Sequence, residues 1–172
     1  MKNKKINFRL ATLDDATNIA KLHVQNWQTT YRSSWSDNFL DNIAPKKQLE
    51  VWTQRLIDAT LHILLAEAEN QLTGFACTEL NADPVYGSLL DNLHVAADWR
   101  GHRIGKQLTL TSMDWVRKQN AQSGYFLWVL EKNLHARKFY KMLGGEEVET
   151  VIKNHPERGE FSVVRCAWKV GF

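Results

Sequence analysis

The chain has 172 residues, 44% hydrophobic and 24% charged, with a net charge of +3. That length suits one domain, spanning residues 1–172, with a sizeable core, and the composition excludes disordered, collagen-like and low-complexity chains. The mild charge permits an anionic ligand but lacks the basic, aromatic-interleaved stripe of a nucleic-acid binder, no stretch reaches the ~18 apolar residues of a membrane span, and the basic start, Met1 to Leu10, lacks the apolar run of a signal peptide.

Ile6 to Leu10 alternates as a short strand does. Thr12 and Asp15 have capping-box spacing, and Ala16, Ile19, Ala20, His23, Trp27 and Tyr31 continue at helical spacing, so a helix is expected over 13–30. Ser34 to Ile43 reads as a short helix or an irregular segment. Pro45 then suits the first turn of a helix carrying Leu49, Trp52, Leu56 and Ile57. His62 to Ala66 and Gly74 to Leu80 form a hairpin of strands around Asn70-Gln71. A loop over 81–87 leads to a strand over 88–95, apolar at both parities, with Leu89, Leu93 and Val95 expected on one side and Leu90 on the other. A basic turn, Trp99 to Gly105, opens a helix to Gln119 with Ile104, Leu108, Thr111 and Trp115 on its inner face. Tyr125 to Leu130 is a strand. Asn133 opens the last helix, with Ala136, Phe139, Tyr140 and Leu143 at core spacing, and Gly144-Gly145 stops it. Strands over 147–152 and 161–170 close the chain as a hairpin. Cys77 and Cys166 are too few and too far apart for a disulfide scaffold or a zinc knuckle, so buried free thiols in a reduced, cytoplasmic compartment are expected.

Two stretches carry chemistry. In the first, a strand feeds Arg100-Gly101-His102-Arg103-Ile104-Gly105-Lys106, a basic turn at a helix start. A helix N-terminus offers unpaired N–H groups and partial positive charge to a phosphate, and glycines let the backbone come close. A Walker loop fails here: Gly101 and Gly105 are too close together, and Gln107 stands where a hydroxyl should bind magnesium. The G-x-G-x-x-G of dinucleotide folds is absent. The R-x-x-G-x-G turn that holds the pyrophosphate of coenzyme A fits at Arg100, Ile104 and Gly105, with Arg103 in place of its middle Gly. In the second stretch, Asn133 is an N-cap and Tyr140 falls two turns on. Taken singly, a solvated basic turn explains the first stretch as well as a phosphate site does, and core packing explains Tyr140 better than catalysis does.

Together, in this order, the two stretches resemble motifs A and B of the GNAT superfamily of N-acetyltransferases, and the likeness covers nearly the whole chain. It implies an α/β, GNAT-like acyl-CoA N-acyltransferase fold: a mixed, mostly antiparallel sheet of six or seven strands, splayed at its centre, with about four helices. It implies acetyl-CoA as co-substrate, with no metal, and a small-molecule or peptide amine as acceptor. The pantetheine arm would pair with the backbone of Leu93, His94 and Val95. The turn, Arg100, Gly101, His102, Arg103, Ile104, Gly105 and Lys106, would hold the pyrophosphate, and Asn133 would touch the cofactor. Tyr140 matches the family's general acid. The family's usual Glu base falls at Leu89, which leaves Asp91, two residues on, as the candidate, with His94 and His23 behind it. Trp27, Tyr31 and Trp35 would line the acceptor pocket, although core packing accounts for Trp27 and Tyr31 as well. A homodimer follows from family habit alone. A non-catalytic acyl-CoA-binding module and a nucleotide-phosphate binder are the competing readings.

Overall fold

The computed structural model describes residues 5–32 and 35–171; Met1 to Lys4 of the basic start and Ser34, where the second helical segment was expected to open, lie outside the described residues. A seven-stranded sheet runs in the order β1 (Asn7–Leu10), β2 (Leu61–Ala68), β3 (Gln71–Asp83), β4 (Gly87–Val95), β5 (Tyr125–Leu130), β7 (Gly159–Trp168) and β6 (Glu146–His155). Every neighbouring pair is antiparallel except β4 with β5. Four α-helices, α1 (Ala16–Thr30), α2 (Ala44–Arg55), α3 (Ile104–Gln119) and α4 (Leu134–Met142), complete the expected α/β fold.

The capping box forms: the Thr12 backbone N–H donates to Asp15 Oδ2 at 2.8 Å. Arg9 holds the same carboxylate through both its terminal nitrogens, so its pKa drops to about 2. Leu13–Asp15 is a tight helical turn that runs into α1. The segment before α2 winds as a wide π-type turn, Phe39–Ile43, and Pro45 sits in the first turn of α2 as expected.

Strand alternation divides the core. Leu64, Ala66 and Ala76 face α3 and α4, while Ile63, Leu65, Phe75 and Cys77 face Ile19 and Ala20 of α1 and Trp52 of α2. Gly74 lets α3 approach: a Cβ there would lie 2.9 Å from the His94 carbonyl oxygen and 3.0 Å from an Ile104 methyl. The inner face of α3 differs from expectation. Ile104, Leu108, Ser112 and Val116 are buried, whereas Thr111 and Trp115 are half-buried. A row spaced by four residues packs on the sheet, and Trp115 stacks on His62 at its flank, with ring centroids 4.2 Å apart.

Two features open the middle of the sheet. β4 and β5 pair only at Ser88–Tyr125 and Leu89–Phe126, and then separate. Opposite β3, Thr78 faces Leu90 while Cys77 faces Asn92, so Asp91 is an extra, bulged residue. The bulge overturns the expected parity: Leu90, Leu93 and Val95 all pack into the α3-side core. Strict alternation predicted otherwise because one inserted residue reverses every face after it.

Candidate active site

The separation of β4 from β5 leaves two clefts that share Tyr31, Leu93, His94, Asn133, Ala136 and Tyr140. The first, of about 680 Å³, lies between the end of β4, the basic turn and the starts of α3 and α4. It is lined by Leu93, His94, Val95, Arg100, Gly101, Arg103, Ile104, Gly105, Lys106 and Asn133, all expected there from the sequence. His102 does not line it; its ring is exposed, beside Trp99 and the Arg100 carbonyl.

The turn is built to present backbone N–H groups. Buried Trp99 anchors it. Gly101 has φ +84° and Arg103 has φ +62°, the left-handed region in which a side chain costs roughly 1 kcal/mol. Arg103 is the N-cap of α3 without a side-chain capping bond. The first intrahelical bond runs from Gln107 N–H to the Arg103 carbonyl, so the N–H groups of Ile104, Gly105 and Lys106 have no helical partner. A Cβ on Gly105 would meet only Phe139 and Val95, both at an ordinary 3.7 Å. The fold itself therefore has no need of Gly105; its absent side chain keeps the helix end open to the cleft. Arg103 and Lys106 line the same wall without a carboxylate partner among the described residues.

Asn26, which sequence reasoning missed, ties α1 to this wall. Its Oδ1 accepts from Arg100 at 3.0 Å, and its Nδ2 donates to the Val95 carbonyl at 3.3 Å. Nothing in the helical spacing of α1 distinguishes this polar residue from its neighbours. Asn133 Oδ1 accepts the Ala136 N–H at 3.1 Å, the expected N-cap. Tyr140 is 9% exposed. Burial raises its pKa above the ordinary phenol value, and its hydroxyl bonds to no group among the described residues.

The second cleft, of about 380 Å³, contains Trp27, Tyr31, Trp35 and Asp91. Trp27 stacks on Trp35, and Trp35 on Phe39, with centroids 5.3 and 4.6 Å apart. Asp91 forms an ion pair with Arg55 of α2 and accepts from Asn92 at 2.6 Å. Arg158, from the β6–β7 turn, also lines this cleft and was not anticipated. Cys77 and Cys166 are buried free thiols, as expected, and burial pushes both up to about 12. Among the described residues no cluster of three or more His, Cys, Asp or Glu could hold a metal.

His94 and His23 sit ring to ring, with centroids 4.4 Å apart. Burial lowers His94 to about 4, and burial with the neighbouring ring takes His23 well below its usual value. A depressed folded-state pKa means that the unfolded chain binds protons first as pH falls. Stability is therefore complete above about pH 6.5 and is lost progressively towards pH 4. His94 alone should cost about 2 kcal/mol by pH 5, seen as a falling melting temperature. His94→Asn should flatten that fall, and an unchanged slope would remove His94 as its source.

The match to known proteins agrees with this geometry. The acetyltransferase (GNAT) family model matches residues 23–144, and the chain belongs to that family. It is an acyltransferase of the GNAT N-acetyltransferase type. A Bacillus subtilis relative, the uncharacterized N-acetyltransferase YuaI, is 24% identical over 134 residues, covering 74% of this chain and 73% of that protein. The PaiA N-acetyltransferase of Thermoplasma acidophilum, solved in complex with coenzyme A, superposes with a TM-score of 0.75 at 18% identity, covering 95% of this chain and 99% of that one. The ribosomal-protein-S5-alanine acetyltransferase of Vibrio fischeri superposes with a TM-score of 0.72 at 16% identity, covering 96% and 93%. At these identities the solved structures speak to the fold.

Proposed function

We propose that the first cleft binds acetyl-CoA and that the acetyl group passes directly to a primary amine held in the second. The observation that carries this reading is the position of Tyr140, whose hydroxyl lacks a protein partner where the two clefts meet. Beyond Leu89, β4 has no β5 partner, so the backbone edge over Leu93, His94 and Val95, apart from the Val95 carbonyl that Asn26 engages, is open to the pantetheine arm. The open N–H groups of α3, with Arg103 and Lys106, receive the pyrophosphate. The presence of coenzyme A in the Thermoplasma structure supports the same ligand here.

The amine nitrogen attacks the thioester carbonyl carbon. A C–N bond forms, the C–S bond breaks, and the departing thiolate takes the Tyr140 proton. Burial keeps this phenol protonated at neutral pH, as a donor to a thiol of ordinary pKa about 8.5 must be. The two thiols of the chain sit outside both clefts, which supports direct attack over a covalent acyl-enzyme. A lysine-like amine is neutral in only about one molecule in 2,500 at pH 7, so a base must take its proton. Asp91, in the acceptor cleft, is the candidate, acting through water.

Thiol release measured with acetyl-CoA across a panel of primary amines tests the reading. Release that requires both reactants is expected; a chain stabilised against heat by ATP or NAD but not by acetyl-CoA would overturn it. In the same assay Asp91→Asn should displace the alkaline-rising limb of the pH–rate profile, and an unchanged limb places the base elsewhere.

A further inference from the structure

The chain has nine arginines. Six of them, Arg9, Arg32, Arg55, Arg117, Arg137 and Arg165, are held by carboxylates. The other three, Arg100, Arg103 and Arg158, have no carboxylate partner among the described residues, and each lines a cleft. Arg100 and Arg103 belong to the pyrophosphate wall. Arg158 stands alone on the acceptor side.

Arg158 is half-buried and held by aromatic faces. Its guanidinium carbon lies 4.2 Å from the ring centroid of Phe161, 5.9 Å from Tyr31 and 6.0 Å from Trp35. These rings fix the plane of the group by cation–π attraction and offer its N–H edges no acceptor. Its acidic sequence neighbours, Glu157 and Glu160, form no ion pair with it. Desolvation lowers its pKa, with only the charge of the Tyr31 phenol group opposing. A positioned, partly desolvated guanidinium with unused donors is a receptor for a planar oxyanion, which it can grip with two parallel hydrogen bonds. Tyr140 and Asp91, the donor and base of the proposed transfer, line the same cleft.

We infer that, granted the acetyl-transfer reading, the acceptor is an amine that also carries a carboxylate, an amino-acid-type molecule whose carboxylate is held by Arg158. One guanidinium matches a single carboxylate charge. The source is either a free amino acid or the C-terminus of a short peptide, and both place amine and carboxylate on one molecule.

The test compares kcat/KM for amino acids and dipeptides, each against its own carboxamide, which keeps the shape and removes the charge. The wild-type protein should favour the acids at least tenfold, and the better of the two series identifies the source. Arg158→Gln should collapse the acid-to-amide ratio towards one, and Arg158→Lys should keep part of it. Melting temperatures of both variants check the fold. Equal use of acids and amides by the wild type, or an equal loss on both in Arg158→Gln, overturns the inference. Thiol release with carboxylate-free amines alone leaves acetyl transfer standing and overturns the carboxylate. No thiol release with any amine, and no stabilisation by acetyl-CoA, overturns both.

Discussion

Tyr140→Phe should lower kcat by about a hundred- to a thousandfold while acetyl-CoA binds as before, within the 10²–10⁴ range of general-acid contributions. The substitution is chemically narrow. The ring of Tyr140 packs edge-on against Phe139 and Trp168, with centroids 5.1 and 6.3 Å away, and a Phe ring keeps both contacts. The hydroxyl has no partner among the described residues, so its removal orphans no buried donor or acceptor, and stability should change little. On the proposed mechanism, what is lost is the proton for the departing thiolate. Steady-state rates with an active amine, set beside the melting shift that acetyl-CoA produces, separate the two effects. A variant that turns over at the wild-type rate would take the general-acid role from Tyr140. One that no longer binds acetyl-CoA would make the residue part of the cofactor wall instead.

Gly105→Asp should weaken acetyl-CoA binding at least a hundredfold and leave the unliganded fold as stable as before, or up to about 1 kcal/mol more stable. The two signs have different origins. Gly in a helix is worse than most residues by up to about 1 kcal/mol, and an acidic side chain in the first turn is favoured by the helix dipole. The nearest atoms to a Cβ here are at ordinary contact distance, so the side chain has room. In the proposed acetyl-CoA complex the same carboxylate would stand among the N–H groups assigned to the pyrophosphate. Two like charges about 4 Å apart, at an effective dielectric of 20, repel by about 4 kcal/mol. Calorimetry of the unliganded protein and titration with acetyl-CoA should therefore move in opposite directions. If affinity were unchanged, the pyrophosphate would have to lie away from this helix end.

Part of this site is local, and that part is legible in the residues. The turn from Arg100 to Lys106 and the pair Asn133 and Tyr140 are short-range patterns: a helix start, an N-cap, and a side chain two turns on. Their lining of one cleft follows from the order strand, turn, helix, strand, helix. The capping box at Thr12 and Asp15 and the left-handed Gly144 that ends α4 are equally local. The strands of the sheet also follow from alternation, up to the point where one residue is inserted.

The acceptor half is different. The bulge at Asp91 depends on how β3 and β4 register, and no side-chain pattern within β4 announces it. The partner of Asp91 is Arg55, a residue of another helix. Arg158 shows the limit most clearly, since Glu157 and Glu160 beside it invite an ion pair in the one-dimensional reading, whereas the folded hairpin turns the guanidinium onto Phe161, Tyr31 and Trp35. By itself the amino-acid sequence determined the elements, the basic turn at the start of α3 and the placing of Tyr140 two turns beyond Asn133, because propensity, capping and periodicity act over a few residues. Only the tertiary structure decided which charges are neutralised and which stay open to a ligand, because a counterion is found through space, across whatever length of chain the fold brings together.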